Sequence, residues 1–302
     1  MNRKIEFTYR GQQGSIGEMT IMHMLPNSRI QAVGPFVMSD LMQRMHFKAR
    51  VPQKPDGHGA HPHRGIATFT YVLHGELEHF DSRGHHGIVS DGGGQWMNAG
   101  NGIIHDENFS QAFQKSGGAL LGMQFWINLP SKEKNEFPDY MAVQDADLPK
   151  IKMADDAGIF KIIIGSYEGK TSKVKTFTKQ FLYHIQLQPG KSFTMPTQSD
   201  MQYAVLLPSG NSKINDSELK EGDFAVFGKE GSAISFANNS KSATDIMVFG
   251  GEPYSEAIVA HGPFVMNTQT EIMQAYNDYK TGKYGDVDHS KVQLLQNENV
   301  PL

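Results

Sequence analysis

Short runs of hydrophobic residues, many of them aromatic or β-branched, recur about every ten residues along the chain and are separated by glycine and proline. Clear examples are TFTYVLHG at 68–75, GMQFWINLP at 122–130, QFLYHIQLQPG at 180–190 and TDIMVFGG at 244–251. Runs of this kind, bounded by turn residues, are typical of β-strands. The pattern predicts an all-β protein made of sandwiches or barrels.

One segment, NTQTEIMQAYNDYKTGKYG at 267–285, has helical periodicity instead. Thr268 and Glu271 form a capping box at its start, and Gly282 suits the position just after a helix end. One face of the segment carries Ile272, Ala275, Tyr276 and Tyr279. We therefore expect a C-terminal helix that packs on a sheet.

The two halves of the chain share a pattern of turns and hydrophobic runs. The order of turn residues and hydrophobic runs at 187–210 is similar to that at 51–75. The order at 221–240 is similar to that at 91–110. A duplicated β-domain is the simplest explanation. The polar, proline-spaced run PSKEKNEFPDYMAVQDADLP at 130–149 is typical of a connection between domains. We predict an N-terminal domain over residues 1–135, a linker over 136–150 and a C-terminal domain over 151–302.

The second copy differs from the first at its histidines. Met195-Pro196-Thr197 stands where the first copy has His61-Pro62-His63. Ile234 or Ser235 stands where the first copy has His105. We therefore expect the second copy to be structural rather than catalytic.

Composition narrows the classes of function. The 302 residues include 28 basic and 32 acidic side chains, for a formal charge of −4, and no basic cluster suited to a row of phosphates, which disfavours direct nucleic-acid binding. The chain has no apolar run of membrane-spanning length, and its first residues lack the apolar stretch of a secretion signal, so we expect a cytoplasmic protein without membrane contact. It also has no cysteine, so any metal must be held by nitrogen and oxygen donors.

Histidine is concentrated in the first half, where eight of the thirteen lie between His58 and His105. Alternate residues of a strand share a face, so His61 and His63 present two imidazoles side by side. His105 and Glu107 have the same spacing. If the two strands are neighbours, the four side chains converge on one metal ion.

Other interpretations of this region are weaker. His74, His79, His85 and His86 are expected at hairpin or rim positions and not as ligands. Gly100-x-Gly102-x-x-His105 approaches a dinucleotide-binding fingerprint but lacks the third glycine and a strand–helix–strand setting. The chain has no nucleophile elbow, phosphate-binding loop or zinc-protease helix motif. A purely structural metal site that stabilises the fold, such as tetrahedral zinc, remains an alternative.

Three stretches of the chain resemble the signature segments of a known family. They are HPHRG with the Tyr-Val-Leu strand after it, QWMNAGNGIIHDE, and HGPFVMNTQTEIMQAYNDYKTGKYG. Together they resemble the pirin family of the cupin superfamily, over a span from about Pro35 to about Gly285. The resemblance implies two tandem cupin barrels, of the double-stranded β-helix or jelly-roll type, with the C-terminal helix added.

The resemblance also implies a single iron in the first barrel, held by three histidines and one glutamate. Carried over by motif, these ligands are His61, His63, His105 and Glu107. Many cupins have a glutamate four residues after the second histidine, where this chain has Ala67. That difference leaves Glu107 as the carboxylate ligand. Fe(II) suits these donors, and Zn, Ni, Cu, Mn or Co could occupy them as well.

Some pirin-like proteins are similar to quercetinases, which open flavonols with O₂ and release carbon monoxide. The hypothesis for this chain is a quercetin 2,3-dioxygenase-like oxidoreductase in which Glu107 acts as metal ligand and as general base toward a small aromatic, flavonol-like substrate. The alternative is a non-enzymatic regulator whose metal or redox state is recognised by a protein partner. Animal pirins resemble nuclear transcription co-regulators of that kind, so a nuclear location would fit a eukaryotic source.

Overall fold

Antiparallel strands form almost all of the regular structure in residues 1–290, the part of the chain that this computed structural model describes. Within these residues the α-helices are α1 (Gln111–Ser116) and α2 (Gln269–Lys280), and the 3-10 turns are Ser131–Glu133, Asp145–Asp147 and Ala154–Asp156. The all-β prediction is therefore confirmed. Neither helix has the length and apolar composition that crossing a membrane requires.

The strands are numbered in chain order. In the first half they are β1 (Ile5–Arg10), β2 (Gln12–Ile16), β3 (Met19–Leu25), β4 (Phe36–Phe47), β5 (His61–His63), β6 (Ile66–His74), β7 (Glu76–Asp81), β8 (His86–Ser90), β9 (Gly94–Asn98), β10 (Ile103–Asn108), β11 (Gly118–Asn128) and β12 (Asp139–Val143). In the second half they are β13 (Lys150–Lys152), β14 (Gly158–Ile164), β15 (Ser166–Tyr167), β16 (Lys170–Thr171), β17 (Gln180–Leu187), β18 (Ser192–Pro196), β19 (Gln202–Ser209), β20 (Ser212–Ile214), β21 (Ser217–Leu219), β22 (Asp223–Phe227), β23 (Ala233–Ala237), β24 (Thr244–Gly251), β25 (Val259–His261) and β26 (Phe264–Met266).

The chain forms two units, and neither is continuous in sequence. The first unit comprises Ser15–Thr20, Met42–Asp145 and the described residues from Glu256 onward; the second comprises Met1–Gly14, Ile21–Leu41 and Ala146–Ser255. The main division at residue 145 falls inside the predicted linker. The terminal segments are exchanged relative to the predicted ranges, because β1 pairs with β22 in the second unit, with Phe7 opposite Val226.

The first unit contains the four-stranded sheet β5-β10-β7-β8 and most of a seven-stranded sheet of order β12-β9-β6-β11-β4-β3-β2. Strand β6 lies between β9 and β11 and is buried along nearly its whole length, which explains its almost unbroken run of large residues. The core of the first unit includes Phe69, Tyr71, Trp96 and Phe125, none of which is more than 1% exposed. The predicted linker contributes β12, which pairs with β9, so part of that polar run belongs to this sheet.

The second unit contains the seven-stranded sheet β1-β22-β19-β24-β17-β14-β13 and the four-stranded sheet β18-β23-β20-β21. A continuous apolar core includes Phe160, Ile185, Val205 and Phe236. The small hairpin of β15 and β16 turns at Glu168 and Gly169, which have φ of +45° and +75°. Positive φ at both turn residues is the geometry of the tightest β-hairpins.

Equivalent strand pairs of the two units have the same register. In the first unit β5 pairs with β10, with His61 opposite His105. In the second unit β18 pairs with β23, with Met195 opposite Ile234. Ile234, rather than Ser235, is therefore the counterpart of His105. The equality of register fits a duplicated domain whose second copy keeps the backbone pairing and replaces the imidazoles by apolar groups.

Helix α2 follows the sequence prediction at both ends. Thr268 and Glu271 make both hydrogen bonds of the capping box, and Gly282 follows the C-cap with φ of +76°. Ile272 and Ala275 pack in one apolar cluster with residues of β26. The prediction that Tyr279 faces the sheet is wrong, since it is 39% exposed. Asp278 is buried in its place. It is paired with the partly buried Arg64, through Nη1 at 2.7 Å, and with the exposed Lys283, through Nζ at 2.5 Å.

A buried lysine ties the C-terminal hairpin to the segment after β5. Lys134 is 1% exposed, and its Nζ donates to the carbonyl oxygens of Gly65 and Val265 and to Asn128 Oδ1 at 2.6–2.8 Å. None of these acceptors is charged. Burial consequently lowers the pKa of Lys134 to about 7.

The Lys134→Met substitution should change how stability depends on pH. Between about pH 7 and pH 10.5 the unfolded chain holds a proton on Lys134 that the folded chain has released. The contribution of Lys134 to the free energy of unfolding therefore rises with pH there, by at most about 1.4 kcal/mol per pH unit. Urea unfolding at pH 7, 8 and 9 should show the gap between wild type and variant widening in favour of wild type. A gap that is constant with pH, as expected for the exposed control Lys132→Met, would contradict this.

Candidate metal centre

The pairing of β5 with β10 brings three of the four predicted ligands together. His61 lies opposite His105, and His63 shares their face because it is two residues along β5. One ring nitrogen from each of the three histidines lies within 4.8 Å of those of the other two. Ring centroids are 4.4–5.0 Å apart. His63 and His105 are each 1% exposed, whereas His61 is partly open to solvent.

Backbone carbonyls fix which nitrogen of each β5 imidazole carries the proton. His61 Nδ1–H donates to Gly59 O at 2.8 Å, and His63 Nδ1–H donates to Pro263 O at 3.1 Å. Each Nε2 then carries a lone pair, as metal ligation requires. His63 Nε2 is buried and has no hydrogen-bond partner among the described residues.

The distance between two of these nitrogens is the best test of fit to a metal. His61 Nε2 and His105 Nε2 lie 3.0 Å apart. Two lone pairs at that separation repel unless a proton or a cation lies between or beside them. Neutral imidazole nitrogens are good ligands of Fe, Zn, Ni and Cu ions. The donor set therefore fits a divalent metal.

Burial keeps the two inner rings, His63 and His105, uncharged. Burial, and secondarily the neighbouring His61, lower the pKa of His63 to about 3. Burial, followed by the nearby histidines, also lowers the pKa of His105 well below its usual value. Both rings are therefore neutral at physiological pH. They can bind a cation without first releasing a proton.

Glu107 lies on the face of β10 that carries His105 but is not a member of the three-histidine group. Its carboxylate is held by three side chains instead. Thr70 Oγ1 and Gln95 Nε2 donate to Oε1 at 3.0 and 2.5 Å, and Gln124 Nε2 donates to Oε2 at 2.8 Å. A carboxylate has about four lone-pair positions, so one on Oε2 is left for a further partner.

A tyrosine extends this hydrogen-bond network. Tyr140 Oη donates to Gln95 Oε1 at 3.2 Å, which orients the amide so that its Nε2 faces Glu107. The Tyr140 ring stacks on His79 with centroids 4.2 Å apart and planes 8° from parallel. Burial, together with the carboxylates of Glu107 and Asp81, raises the pKa of Tyr140, so the phenol remains a proton donor at neutral pH.

The other histidines of the region pair with carboxylates and lie outside the three-histidine group. His74, His85 and His86 are partly exposed and contact Asp91, Asp81 and Glu78, in that order. His79 does not fit the predicted rim position, because it is 1% exposed and its Nε2 lies 3.1 Å from Asp81 Oδ2. Its ring centroid is 5.4 Å from that of His105, so His79 packs beside the three-histidine group.

Sequence reasoning missed the residues that hold Glu107. Thr70, Gln95 and Gln124 are polar residues inside otherwise hydrophobic strands, which is the available signal for a polar barrel interior. Trp126 lies two residues along β11 from Gln124, and its ring meets His63 edge to face with centroids 4.9 Å apart. Tyr140 was assigned to a linker and gave no signal.

Known proteins share both the sequence and the fold of this chain. A family model described as Pirin matches residues 18–127, and one described as Pirin C-terminal cupin domain matches residues 182–285. A Pseudomonas aeruginosa protein named "Putative quercetin 2,3-dioxygenase" is 34% identical over 258 residues, 85% of this chain and 89% of that protein. "Pirin-like protein 2" of Arabidopsis thaliana is 39% identical over 269 residues, 86% of this chain and 78% of that protein.

The structural comparison agrees. The crystal structure of quercetin 2,3-dioxygenase from Acinetobacter baumannii matches 94% of this chain and 99% of its own, with a TM-score of 0.87 and 31% sequence identity. The prediction of two tandem cupin barrels is confirmed by this match and by the two family models. The chain belongs to the pirin family.

Proposed function

We propose that the protein is a metal-dependent oxidoreductase that opens flavonol-like aromatic substrates with O₂. The observation that carries the proposal is the group of three imidazoles, two of them buried, on the strand pair that also carries a carboxylate with one unused acceptor position. The names of the relative from Pseudomonas and of the Acinetobacter structure support the reaction class.

His61, His63 and His105 would hold one divalent metal ion, for which Fe(II) is our assignment, and Glu107 Oε2 would serve as a fourth ligand. When bound, the metal supplies a Lewis acid that brings the substrate oxygens and O₂ together. The carbonyls of Gly59 and Pro263 fix the orientation of the β5 imidazoles. Hydrogen bonds of this kind, made by the ring nitrogen that does not bind the metal, keep the orientation of a ligand constant.

Glu107 is also assigned the role of general base. The free position on Oε2 can accept the hydroxyl proton of a flavonol when the carboxylate is not used as a ligand. Gln95, Gln124 and Thr70 hold the carboxylate in place while it accepts the proton. The Tyr140 phenol holds Gln95 in the orientation that donates to Glu107, so the base does not swing away from the substrate.

The ring-opening reaction balances without a further reductant. A flavonol and O₂ give a ring-opened ester that contains both oxygen atoms, with one ring carbon released as carbon monoxide. The electrons come from the substrate itself, so the protein needs only to bind it, take its hydroxyl proton and limit access of water. The burial of His63 and His105, with Trp126 beside His63, serves that last purpose.

Anaerobically iron-loaded full-length protein should consume O₂ and release carbon monoxide in a one-to-one ratio when quercetin is added. The measurement is an oxygen electrode combined with headspace analysis, and metal-free protein is the control. Protein that binds about one equivalent of metal but produces no carbon monoxide above that control would refute the catalytic proposal. That outcome would favour a metal that only stabilises the fold.

A further inference from the structure

The second unit has a cavity of its own. It lies beside the residue of the second unit that is equivalent to a histidine of the first. Its volume is about 610 Å³, within the range of roughly 300–1,000 Å³ usual for small-molecule sites. Met195, the counterpart of His61, lines it, and Thr197 lies two residues farther along. The position equivalent to the histidines of the first unit therefore borders an open cavity in the second.

Four aromatic residues line this cavity and contact one another. Phe181 and Tyr183 stack with centroids 4.9 Å apart, and Phe181 and Tyr203 are also 4.9 Å apart. Tyr167, on the tight hairpin of β15 and β16, packs against Tyr183 with centroids 5.6 Å apart. Walls of this composition suit a planar aromatic ligand, because ring–ring contacts add to the burial of apolar surface.

A buried positive charge lies behind the polar side of the cavity. Arg3 is 1% exposed, and its guanidinium donates to Thr197 Oγ1 at 2.8 Å, to the carbonyl oxygen of Gln198 at 2.6 Å and to that of Met201 at 3.3 Å. Its Cζ lies 4.7 Å from the centroid of the Tyr203 ring. Thr197, Gln198, Met201 and Tyr203 all line the cavity.

The charge of Arg3 has no carboxylate among these partners. Its remaining hydrogen bond, from Nη1 to Gly228 O at 2.9 Å, is also to a neutral acceptor. A guanidinium remains protonated in proteins, and all the groups that accept hydrogen bonds from Arg3 are neutral. A buried charge in that setting is costly, and an anion placed nearby would offset the cost.

Two hydroxyl groups next to Arg3 are available as hydrogen-bond donors. Thr197 Oγ1 accepts from Arg3 Nε, and Tyr203 Oη accepts from the backbone N–H of Gln198 at 2.8 Å. Within residues 1–290 neither hydroxyl proton has an acceptor. Both protons can therefore be donated to a ligand oxygen, and the adjacent cation makes each hydroxyl a stronger donor.

We propose that this cavity is a second small-molecule site, which binds an aromatic carboxylate. The rings of Tyr167, Phe181 and Tyr183 would contact the aromatic system, and Thr197 and Tyr203 would donate to the carboxylate under the field of Arg3. The site is separate from the three-histidine centre and does not depend on metal. It assigns a ligand-binding role to the copy that has lost its histidines.

Naphthalene-2-carboxylate and its neutral isostere naphthalene-2-carboxamide, titrated calorimetrically into the full chain, test this proposal. The carboxylate should bind one to one and at least tenfold more tightly than the amide, since hydrogen bonds to a charged group exceed those to a neutral one. Thr197→Val and Tyr203→Phe, which keep the shape of the side chain and remove one hydroxyl each, should each weaken carboxylate binding about tenfold. Thr194→Val, an exposed change on β18, three residues before Thr197, should leave carboxylate binding unchanged.

A His63→Ala variant locates the binding event. Carboxylate binding that persists in this variant with unchanged affinity is expected from a site in the second unit. Three results would each overturn the proposal: equal affinity for carboxylate and amide, equal affinity in Thr197→Val and Thr194→Val, or loss of binding in His63→Ala. Absence of any binding up to millimolar concentration would overturn it as well.

Discussion

The His63→Ala substitution should abolish stoichiometric metal binding. His63 is almost fully buried, its Nε2 has no partner among the described residues, and its orientation is fixed by Pro263 O. Removing it leaves two imidazoles and a gap that alanine cannot fill with a donor. Loss of a supporting contact to a metal ligand costs about 10- to 100-fold in affinity, so loss of the ligand itself should exceed that. Metal content after equilibrium dialysis, with isothermal titration of Fe(II) under argon and of Zn(II) in air, measures the effect.

His86→Ala is the matched control for this prediction. It removes a histidine of the same region whose ring is half exposed and contacts Glu78. Its metal content should equal that of wild type, and thermal unfolding of both apoproteins should show that each variant is folded. Retention of one tightly bound metal in folded His63→Ala protein would show that the three histidines are not the ligand set.

The Glu107→Gln substitution should reduce flavonol turnover about 100- to 10,000-fold, the usual contribution of a general base. The amide has the shape of the carboxylate but cannot take the substrate proton. It also offers one acceptor oxygen where Thr70, Gln95 and Gln124 now find two, so one of its own N–H groups must face a donor. We expect the three histidines to retain most of the metal. Turnover should be measured at matched metal occupancy.

The conservative change Glu18→Gln, at an exposed carboxylate paired with Arg50, is the control for this variant. It should leave both turnover and metal content unchanged. Two quantities separate the roles of Glu107, because loss of turnover at full metal occupancy indicates a base, whereas parallel loss of metal and turnover indicates a ligand. Wild-type turnover in Glu107→Gln at matched occupancy would remove Glu107 from the mechanism.

The grouping of His61, His63 and His105 could be predicted because it depends on short-range periodicity. His61 and His63 share a face for the same geometric reason that His105 and Glu107 do, and only one strand pairing was needed to join the pairs. The environment of Glu107 could not be predicted, because Gln95 and Gln124 reach it through the register of β6, β9 and β11. Sequence spacing carries no direct information on register between strands of that separation.

The domain boundaries also depend in part on strand pairings that local sequence does not predict. The polar, proline-spaced run at 130–149 contains residue 145, where the two units divide, and the position of such loops depends on local composition. The assignment of β1 to the second unit depends on its pairing with β22, more than two hundred residues away. Nothing in the composition of IEFTYR indicates which sheet edge it will join. Likewise, the buried position of Asp278 in α2 depends on a distant arginine, which helical periodicity does not register.

The equal strand registers of the two units bear on how metal binding and folding are coupled. In the second unit Met195 and Ile234 occupy the point of the strand pair that His61 and His105 occupy in the first. The backbone hydrogen bonds of this strand pair therefore form even when both facing side chains are apolar. By linkage, metal should add RT ln(1 + [M]/Kd) to the stability of a first unit that folds without it. Chelation and reloading should then be reversible, and metal exchange should be possible in the native protein.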